Sequence, residues 1–399
     1  MSFSPQKKPF FKVARLIHAV ININYICKIL QVIFEGDSIF RKVILNRPNK
    51  FNSLSYEMVS QMLKNLRTFE MDSSVKFVIL KANGKAFCAG GDVVSILGSM
   101  MTGHWSFGAR FYKKQLNLHY LIATYKKPLI PFIDGIVMGG GAGLSMHGRF
   151  KIVTEKTVIA MPEAALGLFS DVGASHFLSR LPGHFGEYLG LTGARLNGVE
   201  MLACGLASHF VLSKDLPSLE NALQTLTSFE NASIHEVIHK FSQTPNLKDD
   251  SIYKRLEIIK ECFSKDRVEE ILLSLENEAK MKEENWITMA IKSIKSASPL
   301  SLKITLKSIR EGRQLNLKQC LIRDYTIFCN ISRATVNKDF YEGSRAMLFD
   351  KDKKPKWEPP ILKMVSEDMV DRCFAAINDD DWKYLKLPPS RLEFFKSKL

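Results

Sequence analysis

The stretch VKFVILKANGKAFCAGGD, residues 75–92, runs from an apolar segment into a loop of small residues that ends on an acid. Its first eight residues, short and rich in β-branched and aromatic types, read as a buried strand. The ten that follow read as a loop. Upstream, RKVILN (41–46) reads as another strand and RPNKFNSLS (47–55) as a loop with turn and cap residues. YEMVSQMLKNLRTFEMD (56–72) places Met58, Val59, Met62, Leu63 and Leu66 at helical spacing. Downstream the alternation continues: helix to about Tyr125, the strand PLIPFIDG (128–135), the glycine run IVMGGGAGLSMHG (136–148), and two strand pieces in FKIVTEKTVIAM (150–161). Short helical segments and the strand ASHFVL (207–212) complete this part. Strands alternating with helices predict an α/β fold.

From about Ser218 the texture changes to long helical stretches such as DRVEEILLSLENEAKMKEENW (266–286), with Val268, Ile271, Leu272 and Leu275 in register. The expected organisation is therefore a basic N-terminal extension (1–31), an α/β core (32–230) and a mainly helical C-terminal region (231–399).

The chain has 399 residues, 46% hydrophobic and 24% charged, as a globular protein would. Against 41 Asp and Glu stand 56 Lys and Arg, a net charge of +15, which favours anionic partners. No RNA-binding aromatic signature, zinc-finger spacing or basic helix stripe accompanies it, so a phosphorylated small molecule is preferred to nucleic acid. The seven cysteines are scattered without a C-x-x-C pair, which speaks against a disulfide framework or a metal site and for a reducing compartment. Residues 1–34 contain no acid but include Lys7, Lys8, Lys12, Arg15 and Lys28, a composition like that of mitochondrial presequences. Their apolar part is too polar to span a membrane. The last three residues, Ser397, Lys398 and Leu399, spell a peroxisomal address read by an import receptor. The peroxisome is thus the first expectation and the mitochondrion the alternative.

Three segments carry potential chemistry. In GKAFCAGGD (84–92), small residues let a ligand approach the backbone, although a plain strand-to-helix turn capped by Asp92 accounts for them equally. MGGGAG (138–143) follows a strand and opens a helix, where backbone N–H groups suit a phosphate or a developing oxyanion; tight packing is the structural alternative. It matches neither nucleotide-binding glycine fingerprint. MPEAALGLFSDVGAS (161–175) holds Glu163 and Asp171 in apolar company with no basic residue between them. Each acid alone reads as a helix start or cap. Together, without a basic partner, they would have raised pKa values, which suits a base or a nucleophile.

In their order and spacing, NRPNKFNSL, GKAFCAGGD, MGGGAGLSMHG and MPEAALGLFSDVG resemble the crotonase superfamily. From about Gln31 to Pro360 the chain resembles its 3-hydroxyisobutyryl-CoA hydrolase branch, in a plant-like peroxisomal form. SPLSLKITLKSIREG (298–312) and DFYEGSRAMLFDKDKKPKWEPP (339–360) also match that branch. The resemblance implies a crotonase-type spiral of strands and helices, an acyl-CoA substrate, no cofactor beyond the substrate's own CoA, no metal, no membrane, and a homo-oligomer as a possible assembly. It implies that the backbone N–H groups of Ala89 and Gly140 hold the thioester oxygen, each donor stabilising the oxyanion by roughly 3–4 kcal/mol. Glu163 would attack the carbonyl or activate a water, and Asp171 would orient substrate or assist proton transfer. Gln115, Gly91, Asp92 and Gly139 would contact the substrate, and Arg47 and Lys50 would face the CoA phosphates.

Enoyl-CoA hydratases use a glutamate at the position matching Gly143 and a glycine at that of Asp171, so thioester hydrolysis, in valine breakdown, is expected over hydration. Two departures stand out: Gln115 where relatives of the branch usually carry glutamate, and Ser170 where they have proline. The first bears on acyl-group choice and the second on the turn that aims Asp171. The expected reaction is therefore hydrolysis of 3-hydroxyisobutyryl-CoA or a close short 3-hydroxyacyl-CoA, with a hydratase or isomerase, or a non-catalytic acyl-CoA-binding homologue, as alternatives.

Overall fold

The computed structural model describes residues 30–37, 39–282, 284–378 and 382–389. Both terminal signals read from the sequence, in residues 1–29 and at Ser397–Leu399, lie outside the described residues.

Among the described residues ten strands form two sheets. They are β1 (Val32–Glu35), β2 (Phe40–Leu45), β3 (Phe77–Ala82), β4 (Ala86–Cys88), β5 (Leu129–Ile133), β6 (Ile136–Met138), β7 (Ile152–Val153), β8 (Val158–Ala160), β9 (Leu196–Asn197) and β10 (His209–Phe210). The six-stranded sheet has the order β1-β2-β3-β5-β7-β10 and the four-stranded sheet β4-β6-β8-β9. Consecutive pairs β3/β4, β5/β6 and β7/β8 each give one strand to each sheet. The chain thus advances as a spiral of repeated turns, and all the neighbours within it pair in parallel. Only β1 against β2 and β9 against β8, at the ends, are antiparallel. This is the α/β architecture, with a helical C-terminal region, that the strand–helix alternation predicts.

The first helices are α1 (Tyr56–Met71), α2 (Val93–Thr102), α3 (Ser106–Ala123) and α4 (Gly140–Ser145). α1 starts where the Ser55 side chain accepts the Met58 N–H, and it buries Met58, Val59, Met62, Leu63, Leu66 and Phe69. In β3 the side chains alternate between two cores, as period-2 geometry requires. Val78 and Leu80 enter the main core, while Phe77 and Ile79 enter a smaller one. The smaller core is covered by Leu219, Leu223, Ile234 and Ile238 of helices Leu216–Gln224 and Asn231–Phe241.

Between and beyond these run α5 (Ala174–Phe177), α6 (Phe185–Thr192), α7 (Gly198–Ala203), α8 (Leu216–Gln224), α9 (Asn231–Phe241), α10 (Leu256–Phe263), α11 (Val268–Met281), α12 (Asn285–Ser296), α13 (Pro299–Gly312), α14 (Leu317–Ser332), α15 (Asp339–Ser344) and α16 (Glu367–Phe374). The main core continues without interruption from Val32 to Leu387. α14 lies along α3, where the Tyr112 and Phe328 rings stack at 4.2 Å. Among the described residues no helix is long and apolar enough to cross a membrane.

Candidate active site

β4 and β6 pair in parallel, Ala86 with Ile136 and Cys88 with Val137. The two glycine loops that follow them therefore leave the sheet side by side. They pack back to back: a Cβ on Gly90 would lie 3.3 Å from the Met138 carbonyl oxygen, and one on Gly141 would strike the Cys88 carbonyl. Gly90 and Gly139 have φ of +102° and +46°, the conformations that require glycine.

These loops, with the acid-bearing segment, enclose a cavity of about 110 Å³. Ala89, Gly91, Gln115, Gly139, Gly140, Glu163 and Asp171 all line it. Sequence reasoning thus brings seven of its ten site residues to one place. The apolar remainder includes Ile96, Phe111 and Leu168, and Phe328 and Phe340 close it from the C-terminal region.

Three of the sequence assignments, for Ala89, Asp92 and Arg47, meet another engagement in the structure. The Ala89 N–H cannot hold a substrate oxygen, because it is already donated to the Phe51 carbonyl at 2.9 Å. The free donor is Gly91. Its neighbours bind Leu54, through Leu54 N–H to Gly90 O (2.7 Å) and Asp92 N–H to Leu54 O (2.9 Å). In such a parallel bridge the intervening N–H points the other way, and that of Gly91 has no partner among the described residues. The Gly140 N–H, at the first position of α4, is likewise outside the helix's own hydrogen bonding. A Cβ on Gly140 would stand only 3.3 Å from the Gly91 nitrogen, so the two donors are adjacent.

Asp92 does not line the cavity. It caps α2 by accepting the Ser95 N–H and pairs with Arg47 at 2.8 Å. Arg47, which also donates to the Ser53 carbonyl at 2.8 Å, is thereby engaged in building the first loop. Lys50 is exposed on that loop and away from the cavity.

Glu163 and Asp171 are each 5% exposed. Burial, and then the neighbouring Asp171 charge, pushes the Glu163 carboxyl well above its usual range. Burial raises Asp171 to about 7, against the lowering influence of the Tyr112 hydroxyl. Glu163 Oε1 comes within 2.9 Å of the point where a Gly139 Cβ would be, and Oε2 is buried without a hydrogen-bond partner. The unpartnered carboxylate oxygen and the two unpartnered N–H groups thus belong to residues lining one cavity, an acid and two donors around the same space.

The raised pKa values have a consequence for stability. A carboxyl whose folded pKa exceeds its unfolded value contributes stability at low pH, which is lost as pH rises through the folded pKa. For Asp171 that window runs from about 4 to about 7. Asp171→Asn is expected to melt at a higher temperature than the wild type at pH 8 and at the same temperature near pH 4. Thermal melts across this range check it; an equal difference at both ends would refute the electrostatic origin.

Gly143, where hydratases carry their extra glutamate, faces the fully buried imidazole of His119. A Cβ there would lie 2.8 Å from Nε2 and closer still to Cε1 and Nδ1 of the ring. Burial holds His119 well below its ordinary pKa, and so neutral. Ser170 keeps its turn by other means than proline: its N–H donates to Thr305 Oγ1 at 3.3 Å, a bond proline cannot make. Sequence reasoning missed Tyr112, Phe328 and Phe340 as site residues: Phe328 and Phe340 reach the cavity through packing, and Tyr112 meets Asp171 through its hydroxyl. Among the described residues no group of three or more His, Cys, Asp or Glu is placed to hold a metal ion.

Comparison with known proteins agrees with this geometry. A family model described as enoyl-CoA hydratase/isomerase matches residues 40–374. The chain is 51% identical over 359 residues to 3-hydroxyisobutyryl-CoA hydrolase 1 of Arabidopsis thaliana, covering 90% of this chain and 94% of that one. It is 37% identical over 381 residues to the mitochondrial 3-hydroxyisobutyryl-CoA hydrolase of Gallus gallus, covering 94% and 97%. Among solved structures it resembles a carnitinyl-CoA dehydratase from Mycobacterium thermoresistibile, with a TM-score of 0.80 and 32% identity over 89% of this chain and 98% of that one.

Proposed function

Since the chain belongs to the enoyl-CoA hydratase/isomerase family, its buried cavity is one for a CoA thioester, and we propose that it hydrolyses 3-hydroxyisobutyryl-CoA to the free acid and CoA. The observation that carries this reading is the pairing of two adjacent free N–H groups, on Gly91 and Gly140, with two buried acids at positions 163 and 171.

The thioester oxygen sits between the two N–H groups, which stabilise the negative charge it gains on attack. Glu163 delivers the nucleophile, either its own carboxylate oxygen or a water it deprotonates. In the first case a mixed anhydride forms as the C–S bond breaks, and water then splits it, regenerating the carboxylate. In the second, hydroxide adds directly. In both, sulfur leaves with the bonding pair and takes up a proton, and one water is consumed per ester. Burial raises the carboxyls of both Glu163 and Asp171, and the charge of Asp171 raises Glu163 further, so the pair favours one acid protonated and the other charged. That division suits a site which must supply a base and return a proton to the leaving group. No cofactor beyond the CoA of the substrate enters these steps.

The small cavity, lined on its far side by Phe328 and Phe340, suits a short branched acyl group. Gln115, buried on α3 with its amide against Gly140 and its Oε1 3.7 Å from where a Gly91 Cβ would be, offers both a donor and an acceptor to a substrate hydroxyl. Valine breakdown is the setting such an ester implies. The terminal Ser-Lys-Leu supports a peroxisomal location, which a fluorescent fusion leaving Leu399 free would test.

Titration of free thiol during incubation with 3-hydroxyisobutyryl-CoA tests the reaction. The expected result is thiol release equal to the acid formed, with little or none from crotonyl-CoA. Binding of the ester without release would leave a binding protein, and water added to crotonyl-CoA would make the chain a hydratase.

A further inference from the structure

Asp171 is followed by two residues in the left-handed region, Val172 at φ +56° and Gly173 at φ +81°. Glycine adopts this freely, but a β-branched residue does not. Val172 is buried, 1% exposed, and its conformation persists only where surrounding structure enforces it.

Three side chains from three parts of the fold do so. His147 Nε2 lies 2.9 Å from the Val172 carbonyl oxygen, and the Val172 N–H donates to the Tyr112 hydroxyl at 3.4 Å. The Gly173 N–H donates to Asp324 Oδ2 at 2.7 Å. Asp324 stands on α14 of the C-terminal region and is completely buried, and its second oxygen, Oδ1, has no partner. The adjacent Arg323 does not neutralise it by contact: that guanidinium is spent on Glu311 at 2.9 Å and on the Ser308 carbonyl at 2.6 Å. A buried carboxyl with one idle oxygen is costly for stability alone.

We propose that Asp324 is a positioning residue for the reaction, holding the Gly173 N–H so that the strained turn presents the Asp171 carboxyl to the thioester. This rests on the hydrolase reading above. It places a determinant of the active site in the helical C-terminal region, some 150 residues beyond the acid it aims. Asp324 faces Arg323 and Cys320 on its own helix, Tyr112 on α3 and Asp171 across the turn. Asp171 in turn faces Glu163 and Tyr112, and His147 grips its turn.

The test compares Asp324→Asn and Asp324→Ala with the wild type, by thiol release from pH 5.5 to 9 and by hydrogen exchange of residues 170–176. Asn keeps an acceptor for the Gly173 N–H but removes the charge; Ala removes both. Ala is expected to lower kcat by about 10- to 100-fold with KM little changed, the usual effect of a misplaced catalytic group, and to speed exchange in the segment. Asn is expected to recover most of kcat and the slow exchange. Its acidic limb should move to lower pH, because a like charge near Asp171 has gone. Wild-type kcat and exchange in the Ala variant would overturn the proposal, as would equal losses in both variants without a shift in the pH profile. A wild type that releases no thiol would sink the hydrolase reading instead, and the exchange measurement would still decide the hold on the turn.

Discussion

Glu163→Gln is expected to slow thiol release from 3-hydroxyisobutyryl-CoA by about 10³-fold or more, roughly 4 kcal/mol of transition-state stabilisation. The substitution changes one atom, so the shape of the cavity is kept. The amide can neither form the anhydride nor deprotonate water, so both routes to the tetrahedral intermediate close together. The oxyanion donors remain, because Gly91 and Gly140 use backbone N–H groups that the change does not touch. Substrate binding should therefore persist while turnover is lost, and isothermal titration beside stopped-time thiol assays separates the two. The variant should also be more stable than the wild type above neutral pH, since a buried carboxyl with an unpartnered oxygen has been replaced by a neutral group. A Gln variant that turns over within tenfold of the wild type would remove Glu163 from the centre of the mechanism.

Gly143→Glu, the substitution that restores the hydratase pattern on paper, is expected to destabilise the fold by about 3 kcal/mol or more and to gain no hydratase activity. Even a methyl group at this position meets the ring of His119, which projects from α3 and is wholly buried. The added carboxylate would then be buried with only the imidazole of His119, held neutral by burial, beside it. Gly143→Ala should show most of the steric part alone, and combining either change with His119→Ala should recover part of the loss. Denaturant midpoints give the energies, and absorbance of crotonyl-CoA gives the hydration rate. Soluble, stable Gly143→Glu protein that hydrates crotonyl-CoA would mean that His119 yields more readily than its packing indicates.

The α/β alternation was legible because buried parallel strands are short apolar runs, such as Phe77–Ala82 and Leu129–Ile133, and because α1 keeps its apolar residues on one face. The two glycine loops were legible because close backbone approach leaves few residue types possible. Which N–H of the first loop is free was not. Ala89 and Gly91 differ by two residues, and only the strand-like contact with Phe51 and Leu54 decides that the first is consumed and the second is not. Arg47 and Asp92 looked available for phosphates and substrate because a sequence does not show that the two pair with each other. Tyr112 and Asp324 left no local trace either, since what matters about them is a hydrogen bond to a turn 60 and 151 residues away.

The uninterrupted core sets an order of events during synthesis. A chain still growing on the ribosome and stopped at residue 316 already holds both glycine loops, Glu163 and Asp171. It lacks Asp324, and it lacks Phe328 and Phe340, which line the cavity from the far side. Its acids would be less enclosed, and the turn after Asp171 would keep His147 and Tyr112 but lose its third hold. The acids and the donors are thus complete well before the residues that wall them in and brace them, and a fragment ending before α14 is expected to work less well than the full chain.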